Sequence, residues 1–455
     1  MQDRREHVDV AIVGAGYAGL AAALELTRAG AEVLVLEASD RVGGRVWTRA
    51  EDGGVLIDHG GQWVGPAQTA LLRWADRFGC ARFPTYDEGT HLELWPGQAP
   101  LPHTSGTHPP AHDAAEYDAL VARLDALAAQ VDPERPEACP DLAAWDARTF
   151  DDWLRTATSS ADARRRMRLV VQGLWACEPR DLSLFHVLFY AAAGGGLGPL
   201  LATLGGAQDS RFVDGADAPA RAAAAALGDT VRLARPVTAV AWDGSGATLA
   251  TTAGEVRARR VVVTGTPPAQ ARIRFSPLLP TARRRWLARS PMGDVAKVHL
   301  AYPRPFWRAR GLSGQITTYD ASPVAYTFDN SPADGSCGMI AAFVYGDDYR
   351  AWSVQPPEAR RKAVLDVLAV LGTEAAEPTA YHERLWPEQP WAEGGYAAVP
   401  SPGTWHEHAA GRRDPVGPLH WAGTETAGLG NGYIDGAIRS GERAAAEVLA
   451  ALRTG

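Results

Sequence analysis

Residues 8–19 read Val-Asp-Val-Ala-Ile-Val-Gly-Ala-Gly-Tyr-Ala-Gly, and this stretch decides the fold. The run Val8–Val13 is short and mostly apolar, as expected of a strand buried on both faces of a parallel sheet. Gly14 permits a tight turn, Gly16 lets the backbone approach a phosphate, and Gly19 lets the next helix pack closely on the sheet. The start of that helix offers free N–H groups and a positive dipole end to an anion. The stretch therefore predicts a strand, turn and helix that hold a dinucleotide.

An acidic residue and a second glycine pair extend this unit. Residues 31–36 form another strand-like run that ends at Glu37, roughly the 20 residues downstream at which an acid binds ribose hydroxyls. Gly43-Gly44-Arg45 follows, so backbone N–H groups can face a pyrophosphate while Arg45 adds positive charge. Residues 421–437, near the other end of the chain, supply a glycine-rich loop that leads into an Ala-rich helix. The two ends together indicate a flavin cofactor rather than a nicotinamide.

Composition limits the class of protein. The chain has 455 residues, of which 46% are hydrophobic and 22% charged, which is typical of a soluble globular protein with two domains or an interleaved pair. The net charge of −8, without a basic stripe, argues against nucleic acid as a partner. Neither a leader segment nor an apolar run of about 18 residues is evident, so we expect a cytoplasmic protein without a membrane anchor. The four cysteines are scattered and read as reduced thiols.

Three charged clusters have ordinary structural explanations. The string His406-Glu407-His408 would place both rings on one face of a strand, but we predict no metal site there. The arginine runs 164–166 and 283–285 are predicted to lie on solvated helix faces.

Lysine is rare relative to arginine, since Lys297 and Lys362 are the only lysines among 45 Lys and Arg residues. Arginine stays charged, whereas lysine is compact and can become neutral when it is buried. Lys362 lies at a polar helix start and needs no special explanation. Lys297 lies in the strand-like run 293–302, and its type and place indicate a specific task.

Further motifs carry a family resemblance. The Gly-Gly-Arg string is similar to the flavin-binding signature shared by amine oxidases, phytoene desaturases and protoporphyrinogen oxidases. Over essentially the whole chain, the order of motifs resembles the flavin-containing monoamine oxidase family. The strings that carry this resemblance are Asp58–Pro66, Gly205–Gln208, Arg235–Val237, Gly293–Lys297, Tyr302–Trp307, Pro323–Thr327, Trp386, Gly394–Tyr396 and Gly423–Thr426.

The resemblance implies an α/β fold with a Rossmann-like FAD-binding domain. That domain is interleaved with a substrate domain of mixed sheet plus helices. We expect the FAD-binding domain to comprise residues 1–82, 212–286 and 389–455, and the substrate-binding domain to comprise 83–211 and 287–388. Patterning predicts helices over 66–79, Tyr117–Val131, Arg164–Ala176, Leu182–Ala193 and Pro357–Leu371. It predicts strands at Val231–Leu233, Val237–Trp242, Arg260–Thr264, 294–302, 314–328 and 337–345, and a long loop over 95–116.

The resemblance also implies where FAD binds. The residues expected around the ADP half are Gly14, Ala15, Gly16, Ala18, Gly19, Glu37, Ala38, Gly44 and Arg45, with Val237 near the adenine. Those expected around the flavin ring, ribityl chain and pyrophosphate are Gln62, Trp63, Trp386, Glu425 and Ile434. Members of the family that tether the flavin carry a cysteine directly before the first cage tyrosine. Gly395 holds that position here, so FAD is expected to be bound non-covalently.

Three residues are implied in the chemistry. Lys297 would hold a water against the flavin N5 atom, and Tyr396 and Tyr433 would stand as parallel walls in front of the ring. Between aromatic faces without a carboxylate, a neutral amine can aim its C–H bond at N5, and the flavin takes a hydride equivalent to leave an imine. Water then releases an aldehyde, and O2 reoxidises the flavin to give hydrogen peroxide. Gln208 and Tyr326 are expected to line the substrate pocket.

The substrate and two alternatives stay open at this level. A monoamine with an aromatic or bulky apolar tail is expected, because a buried distal ammonium needs a carboxylate and the implied pocket segment offers Tyr326. A free amino acid would need an arginine beside the flavin. The alternatives are a desaturase or porphyrinogen-type flavin oxidase, and a flavin-fold binding protein without turnover. The expected partners are the amine and O2, and a homodimer stays open.

Overall fold

A computed structural model describes residues 6–51 and 54–454. The strands are β1 (Glu6–Val13), β2 (Val33–Leu36), β3 (Thr48–Ala50), β4 (Leu56–Asp58), β5 (Trp63–Val64), β6 (Arg82–Pro84), β7 (Thr90–Leu94), β8 (Leu101–His103), β9 (Ser210–Phe212), β10 (Val231–Arg232), β11 (Val237–Asp243), β12 (Gly246–Thr251), β13 (Gly254–Val263), β14 (Arg274–Ser276), β15 (Val295–Tyr302), β16 (Leu312–Thr318), β17 (Val324–Asp329), β18 (Gly338–Tyr345), β19 (Ala380–Leu385) and β20 (Leu419–Trp421).

The α-helices alternate with these strands and also form a block between β8 and β9. They are α1 (Tyr17–Arg28), α2 (Thr69–Arg77), α3 (Ala114–Ala128), α4 (Leu142–Asp146), α5 (Phe150–Ala157), α6 (Ala161–Trp175), α7 (Leu184–Gly194), α8 (Leu197–Leu201), α9 (Ala218–Leu227), α10 (Pro267–Ala271), α11 (Thr281–Ala288), α12 (Gly346–Ser353), α13 (Pro357–Leu368), α14 (Thr404–His408) and α15 (Ile434–Thr454). None of the described helices is long and apolar enough to cross a membrane.

The first large sheet carries the glycine-rich turn. Its strand order is β10-β2-β1-β13-β12-β11-β14, and β20 also pairs with β13. β1 runs parallel to both β2 and β13, and its central residues Val10, Ala11 and Ile12 are fully buried. Helices must therefore cover both faces of these central strands. The expected Rossmann-like α/β fold is confirmed.

The second large sheet has the order β19-β15-β18-β17-β16-β7-β8, antiparallel throughout except between β16 and β7. The block predicted at 314–328 is two strands, because the chain reverses between Thr318 and Val324, where Asp320 takes a left-handed φ of 56°. The predicted loop 95–116 contains the short strand β8 and the start of α3.

The ends of the chain meet in the first sheet and its helices. Strands of that sheet come from residues 6–36, 231–276 and 419–421, with the second sheet's strands drawn from 90–103, 295–345 and 380–385. α1 packs directly on α15, since a Cβ at Gly441 would lie 2.1 Å from the carbonyl oxygen of Ala18. The exact division into the two domains stays a prediction.

The arginine runs 164–166 and 283–285 are only partly solvated, because one arginine of each run is buried. Arg166 is buried against Glu93, because its guanidinium finds a carboxylate and two aromatic rings in the interior. Arg283 is also buried, 3.8 Å above the Trp421 ring centre, and donates to the carbonyls of Gly411 and Arg412 at 2.8 Å. The string 406–408 belongs to α14 and not to a strand. Within the described residues, no group of three potential ligands could hold a metal ion.

Candidate active site

The turn between β1 and α1 is shaped for close approach. Gly14 has a φ of +99°, and a Cβ there would lie 2.4 Å from the Oγ1 atom of Thr264. Gly16 is the N-cap of α1 and provides no side-chain hydrogen bond to the helix start. The backbone of Gly16 forms a bridge with Gly43, and a Cβ on Gly16 would lie 3.9 Å from the Cα of Gly44. The predicted glycines thus meet, with helix N–H groups available to an anion.

Glu37 lies at the carboxyl end of β2 beside this turn. One carboxylate oxygen accepts the Ala15 N–H at 2.6 Å, and the other accepts both the N–H and hydroxyl of Ser39 at 2.8 Å. The backbone N–H of Arg235 donates to the Glu37 carbonyl at 2.7 Å. That contact places the start of β11, and hence Val237, close to Ala38 and Glu37. The predicted ribose and adenine residues are therefore brought together.

An ion pair joins the two ends of the sequence. Arg45 donates to the carboxylate of Glu425 through both terminal nitrogens, at 2.5 and 3.0 Å, and to the carbonyl of Tyr396 at 2.9 Å. Glu425 also accepts the Ala398 N–H at 3.3 Å. A bidentate pair of this kind fixes orientation as well as distance. It holds the Gly-Gly-Arg string, the C-terminal loop and the segment of Tyr396 against one another.

Lys297 is buried in the middle of β15. Its ammonium donates to the carbonyls of Asp58 at 2.7 Å and Gly60 at 2.9 Å, and to the side-chain oxygen of Gln62. These three acceptors match the three donors of an ammonium. Burial lowers the pKa of Lys297 to about 7, although the charge of Asp58 opposes that shift. Lys297 therefore organises the segment 58–62 and can exchange a proton near neutral pH.

Aromatic rings surround this lysine. The indole N–H of Trp386 donates to the carbonyl of His59 at 2.9 Å. The ring centres of Trp63 and Phe343 lie 5.7 and 5.6 Å from the Lys297 Nζ atom. Within the described structure the buried Nε1 atom of Trp63 meets no hydrogen-bond partner. A buried donor of this kind suits an acceptor on a bound group, as a flavin ring would supply.

Each predicted cage tyrosine is supported by a second tyrosine. The hydroxyl of Tyr396 lies 2.8 Å from that of Tyr345, and the ring of Tyr433 lies 6.0 Å from that of Tyr190. Burial raises the pKa of Tyr433 to about 12 and raises that of Tyr396 as well. The hydrogen bond with Tyr345 opposes that shift in the pKa of Tyr396, and the nearby Tyr433 adds to it.

The two residues predicted to line the pocket lie in different parts of the fold. Tyr326 lies on β17, packs with the same aromatic cluster as Tyr396, and donates to the carbonyl of Leu169 at 3.2 Å. Gln208 donates to the carbonyl of Leu200 at 3.1 Å. Among the described residues, no donor forms a hydrogen bond with its buried Oε1 atom. Ile434 begins α15, where its Cδ1 atom would lie 4.0 Å from a Cβ on Gly61.

Sequence reasoning did not identify Tyr345, Tyr190 or Phe343. Strand alternation could have indicated Phe343 and Tyr345, since residues two apart on β18 share one face of the sheet. Tyr190 lies on the buried helix α7, where its neighbours are also apolar, so the sequence carries no signal that sets it apart.

A glycine-lined turn with a carboxylate beside it, and aromatic rings around a buried lysine, suit a flavin dinucleotide. These features define the class of FAD-dependent oxidoreductases. The family model for flavin-containing amine oxidoreductases matches residues 17–449, and the chain belongs to that family. The protein is therefore an FAD-dependent amine oxidase, as the sequence resemblance predicts.

Relatives support the same family. AofH of Mycobacterium tuberculosis, assigned to the flavin-containing monoamine oxidases, is 40% identical over 98% of this chain and 97% of its own. A structure of wild-type putrescine oxidase bound to putrescine has a TM-score of 0.94 at 36% identity, covering 98% of this chain and all of the other. Cyclohexylamine oxidase from Brevibacterium oxydans also has a TM-score of 0.94, at 35% identity, covering 98% of this chain and 99% of the other.

Proposed function

We propose that this enzyme oxidises a monoamine with an aromatic or bulky apolar tail to an imine, with O2 as electron acceptor and hydrogen peroxide as product. The imine then hydrolyses to an aldehyde. The observation that carries this proposal is the aromatic cluster of Tyr396, Tyr326, Tyr345 and Phe343, with Tyr433 packed on a second buried cluster beside Tyr190. Aromatic walls of this kind bury an apolar tail and disfavour the charged form of the amine.

The proposed roles follow the positions of the side chains. Residues of the β1–α1 turn, Glu37, Arg45 and Glu425 would hold FAD, with Gln62, Trp63 and Trp386 around its ring. When it is bound, FAD supplies the acceptor for the hydride equivalent and passes the electrons to O2. Tyr396 and Tyr433 would orient the neutral amine between them. Lys297, whose pKa is lowered to about 7 by burial, would hold or release a proton beside the ring during reoxidation.

A carboxylate on β17 is not free to bind a second ammonium. Asp329 is buried and accepts hydrogen bonds from Arg308 at 2.7 Å, Trp307 at 2.9 Å and the Ser331 N–H at 2.9 Å. Its charge is thus already matched by an arginine. This supports a monoamine over a diamine, even though one relative is a putrescine oxidase.

A comparison of substrates tests the proposal. We expect kcat/KM for phenylethylamine and tryptamine to exceed that for putrescine and for free L-amino acids, with peroxide formed in step with amine consumed. Anaerobic reduction of bound FAD by phenylethylamine would exclude a binding protein without turnover. A preference for putrescine or for an amino acid would overturn the proposed substrate class, and amine oxidation without peroxide would overturn the proposed acceptor.

A further inference from the structure

His59 lies at the centre of the segment that meets both Lys297 and Trp386. The carbonyls of its two neighbours, Asp58 and Gly60, accept hydrogen bonds from the Lys297 ammonium at 2.7 and 2.9 Å. The carbonyl of His59 itself accepts the indole N–H of Trp386 at 2.9 Å. Three consecutive carbonyls therefore bind the two side chains, and the backbone at His59 sets the position of both.

The side chain of His59 is held by Glu51. Its Nε2 atom lies 2.8 Å from a carboxylate oxygen of Glu51, and the two side chains are 1% and 14% exposed. Burial lowers the pKa of His59 to about 4, although the hydrogen bond with Glu51 opposes that shift. The ring is therefore uncharged at neutral pH. Because an ionised carboxylate only accepts hydrogen bonds, the ring must carry its proton on Nε2 and donate it to Glu51.

The backbone on both sides of this hydrogen bond is also fixed. Glu51 directly follows β3, where its N–H donates to the carbonyl of Val55 at 3.1 Å and its carbonyl accepts the N–H of Gly54 at 2.9 Å. His59 directly follows β4, and its N–H donates to the carbonyl of Trp47 at 2.8 Å. Since β3 and β4 pair antiparallel, they bring the carboxylate and the ring together and fix the direction of the ring.

The pair of Glu51 and His59 packs on the same sheet face as Lys297. The His59 ring lies 5.8 Å from that of His299, edge to face. His299 follows Lys297 by two residues on β15, so both side chains point to one face of the sheet. His382 lies opposite His299 on β19, and its Nδ1 atom is 3.9 Å from Glu51. The pair therefore covers the part of this face that adjoins Lys297.

We propose that His59 is a positioning residue for Lys297 and Trp386, and that its hydrogen bond to Glu51 holds the segment 58–62 against the lysine. Without that bond the ring would turn in its site, and the backbone carbonyls beside it would shift. The inference rests on the proposed roles of Lys297 and Trp386 beside the flavin ring, and it names the group that keeps both in place.

Two variants of Glu51 separate the hydrogen bond from the charge. Glu51→Ala removes the acceptor, whereas Glu51→Gln keeps an oxygen that can accept from the Nε2 atom of His59. Because burial is the main cause of the low pKa of Lys297, water admitted by a loosened segment should raise that pKa. In FAD-loaded protein with 13Cε-labelled lysine, we expect NMR titration to show the pKa of Lys297 higher by at least about one pH unit in Glu51→Ala and unchanged in Glu51→Gln.

A histidine variant and a matched control complete the experiment. His59→Ala removes the donor of the same hydrogen bond, so it should raise the pKa of Lys297 as Glu51→Ala does. His420→Ala is the control, because it removes another buried histidine beside a glutamate, with its Nδ1 atom 3.3 Å from Glu447. The control should leave the pKa of Lys297 at the wild-type value.

The two loss variants decide the outcome, and either one is sufficient if the other does not fold. An unchanged or lower pKa of Lys297 in folded Glu51→Ala or His59→Ala would overturn the inference. An equal rise in His420→Ala or in Glu51→Gln would overturn it as well, because the shift would then not depend on this hydrogen bond. Turnover of phenylethylamine by the wild-type enzyme tests the proposed function separately, since the titration of Lys297 does not depend on the substrate.

Discussion

The hydroxyl groups of Tyr345 and Tyr396 share a hydrogen bond of 2.8 Å, with their rings nearly perpendicular at 77°. Tyr345 is buried and stacks on Phe343, whereas Tyr396 is only partly buried. The bond therefore links a cage tyrosine to a rigid strand of the second sheet. Tyr345 acts as a positioning residue for Tyr396.

Tyr345→Phe should weaken the positioning of Tyr396 while both aromatic rings remain. Loss of one buried hydrogen bond costs about 0.5–1.5 kcal/mol, so we expect anaerobic flavin reduction by amine to slow roughly two- to tenfold. The dissociation constant of FAD should stay unchanged. Stopped-flow absorbance measures the reduction rate. Tyr302→Phe is a matched control, because it removes a buried hydroxyl that bonds the Ala375 carbonyl at 3.1 Å. Equal slowing in both variants would show a general loss of stability instead.

FAD should leave the protein on denaturation. Gly395 lies against Val295 and Trp386, where a Cβ would be 3.1 and 3.8 Å from their side chains, and it has no sulfur to form a thioether. Acid precipitation should therefore release all the yellow colour into the supernatant. Colour that stayed with the pellet would require attachment at another residue.

The bidentate pair between Arg45 and Glu425 should contribute to FAD affinity. Glu425→Gln removes charge-assisted hydrogen bonds worth about 1.5–3 kcal/mol, so we expect the dissociation constant of FAD to rise roughly ten- to a hundredfold. Titration of the apoprotein with FAD measures it. Glu442→Gln is the control, since Glu442 pairs with Arg73 at 2.8 Å on the surface. The Glu442→Gln variant should bind FAD as the wild type does. A similar change in both variants would contradict a role specific to Glu425.

Local sequence was sufficient to predict the parts of the site that depend on backbone shape. Gly14 and Gly44 take left-handed φ values of 99° and 62°, and a Cβ on Gly14 would lie 2.4 Å from the Oγ1 atom of Thr264, so the residue types themselves report the geometry. The Gly-Gly-Tyr string that ends at Tyr396 was also identified from local sequence, through the family resemblance.

The remaining contacts depend on residues far apart in the chain. Arg166 and Glu93 are 73 residues apart, and nothing in the helical pattern of α6 distinguishes an arginine that turns inward from its exposed neighbours. Lys297 was singled out by its rarity, but its acceptors Asp58 and Gly60 lie more than 200 residues earlier. Such pairings follow from the packing of segments that lie far apart in the chain, which periodicity does not encode.

The ionisation of Lys297 should be directly visible, because the chain has only two lysines. In protein labelled with [13Cε]lysine, the Lys297 signal should titrate near pH 7, and its loss in Lys297→Met distinguishes it from the signal of Lys362, which is exposed and paired with Asp366. The folded pKa of about 7 is lower than the ordinary 10.5, so the unfolded chain binds more protons between these values. The stability of the wild type relative to Lys297→Met should therefore rise from pH 7 towards pH 10.5. A Lys297 signal that did not change across pH 7 would contradict this.

Lys297→Met should also separate the two halves of the reaction. We expect reoxidation of reduced FAD by O2 to slow by at least about tenfold, while reduction by amine changes much less, because Lys297 donates its hydrogen bonds to the segment 58–62 and not to Tyr396 or Tyr433. The variant leaves the carbonyls of Asp58 and Gly60 without their donor, and each unpaired buried group costs about 1–3 kcal/mol, so a lower Tm is expected as well. Stopped-flow measurement of both half-reactions in FAD-loaded protein decides the point, with Lys362→Met as the control that keeps Lys297 in place. If oxygen reactivity is unchanged while the Tm falls, Lys297 serves to hold the segment 58–62 and takes no part in the reaction with O2.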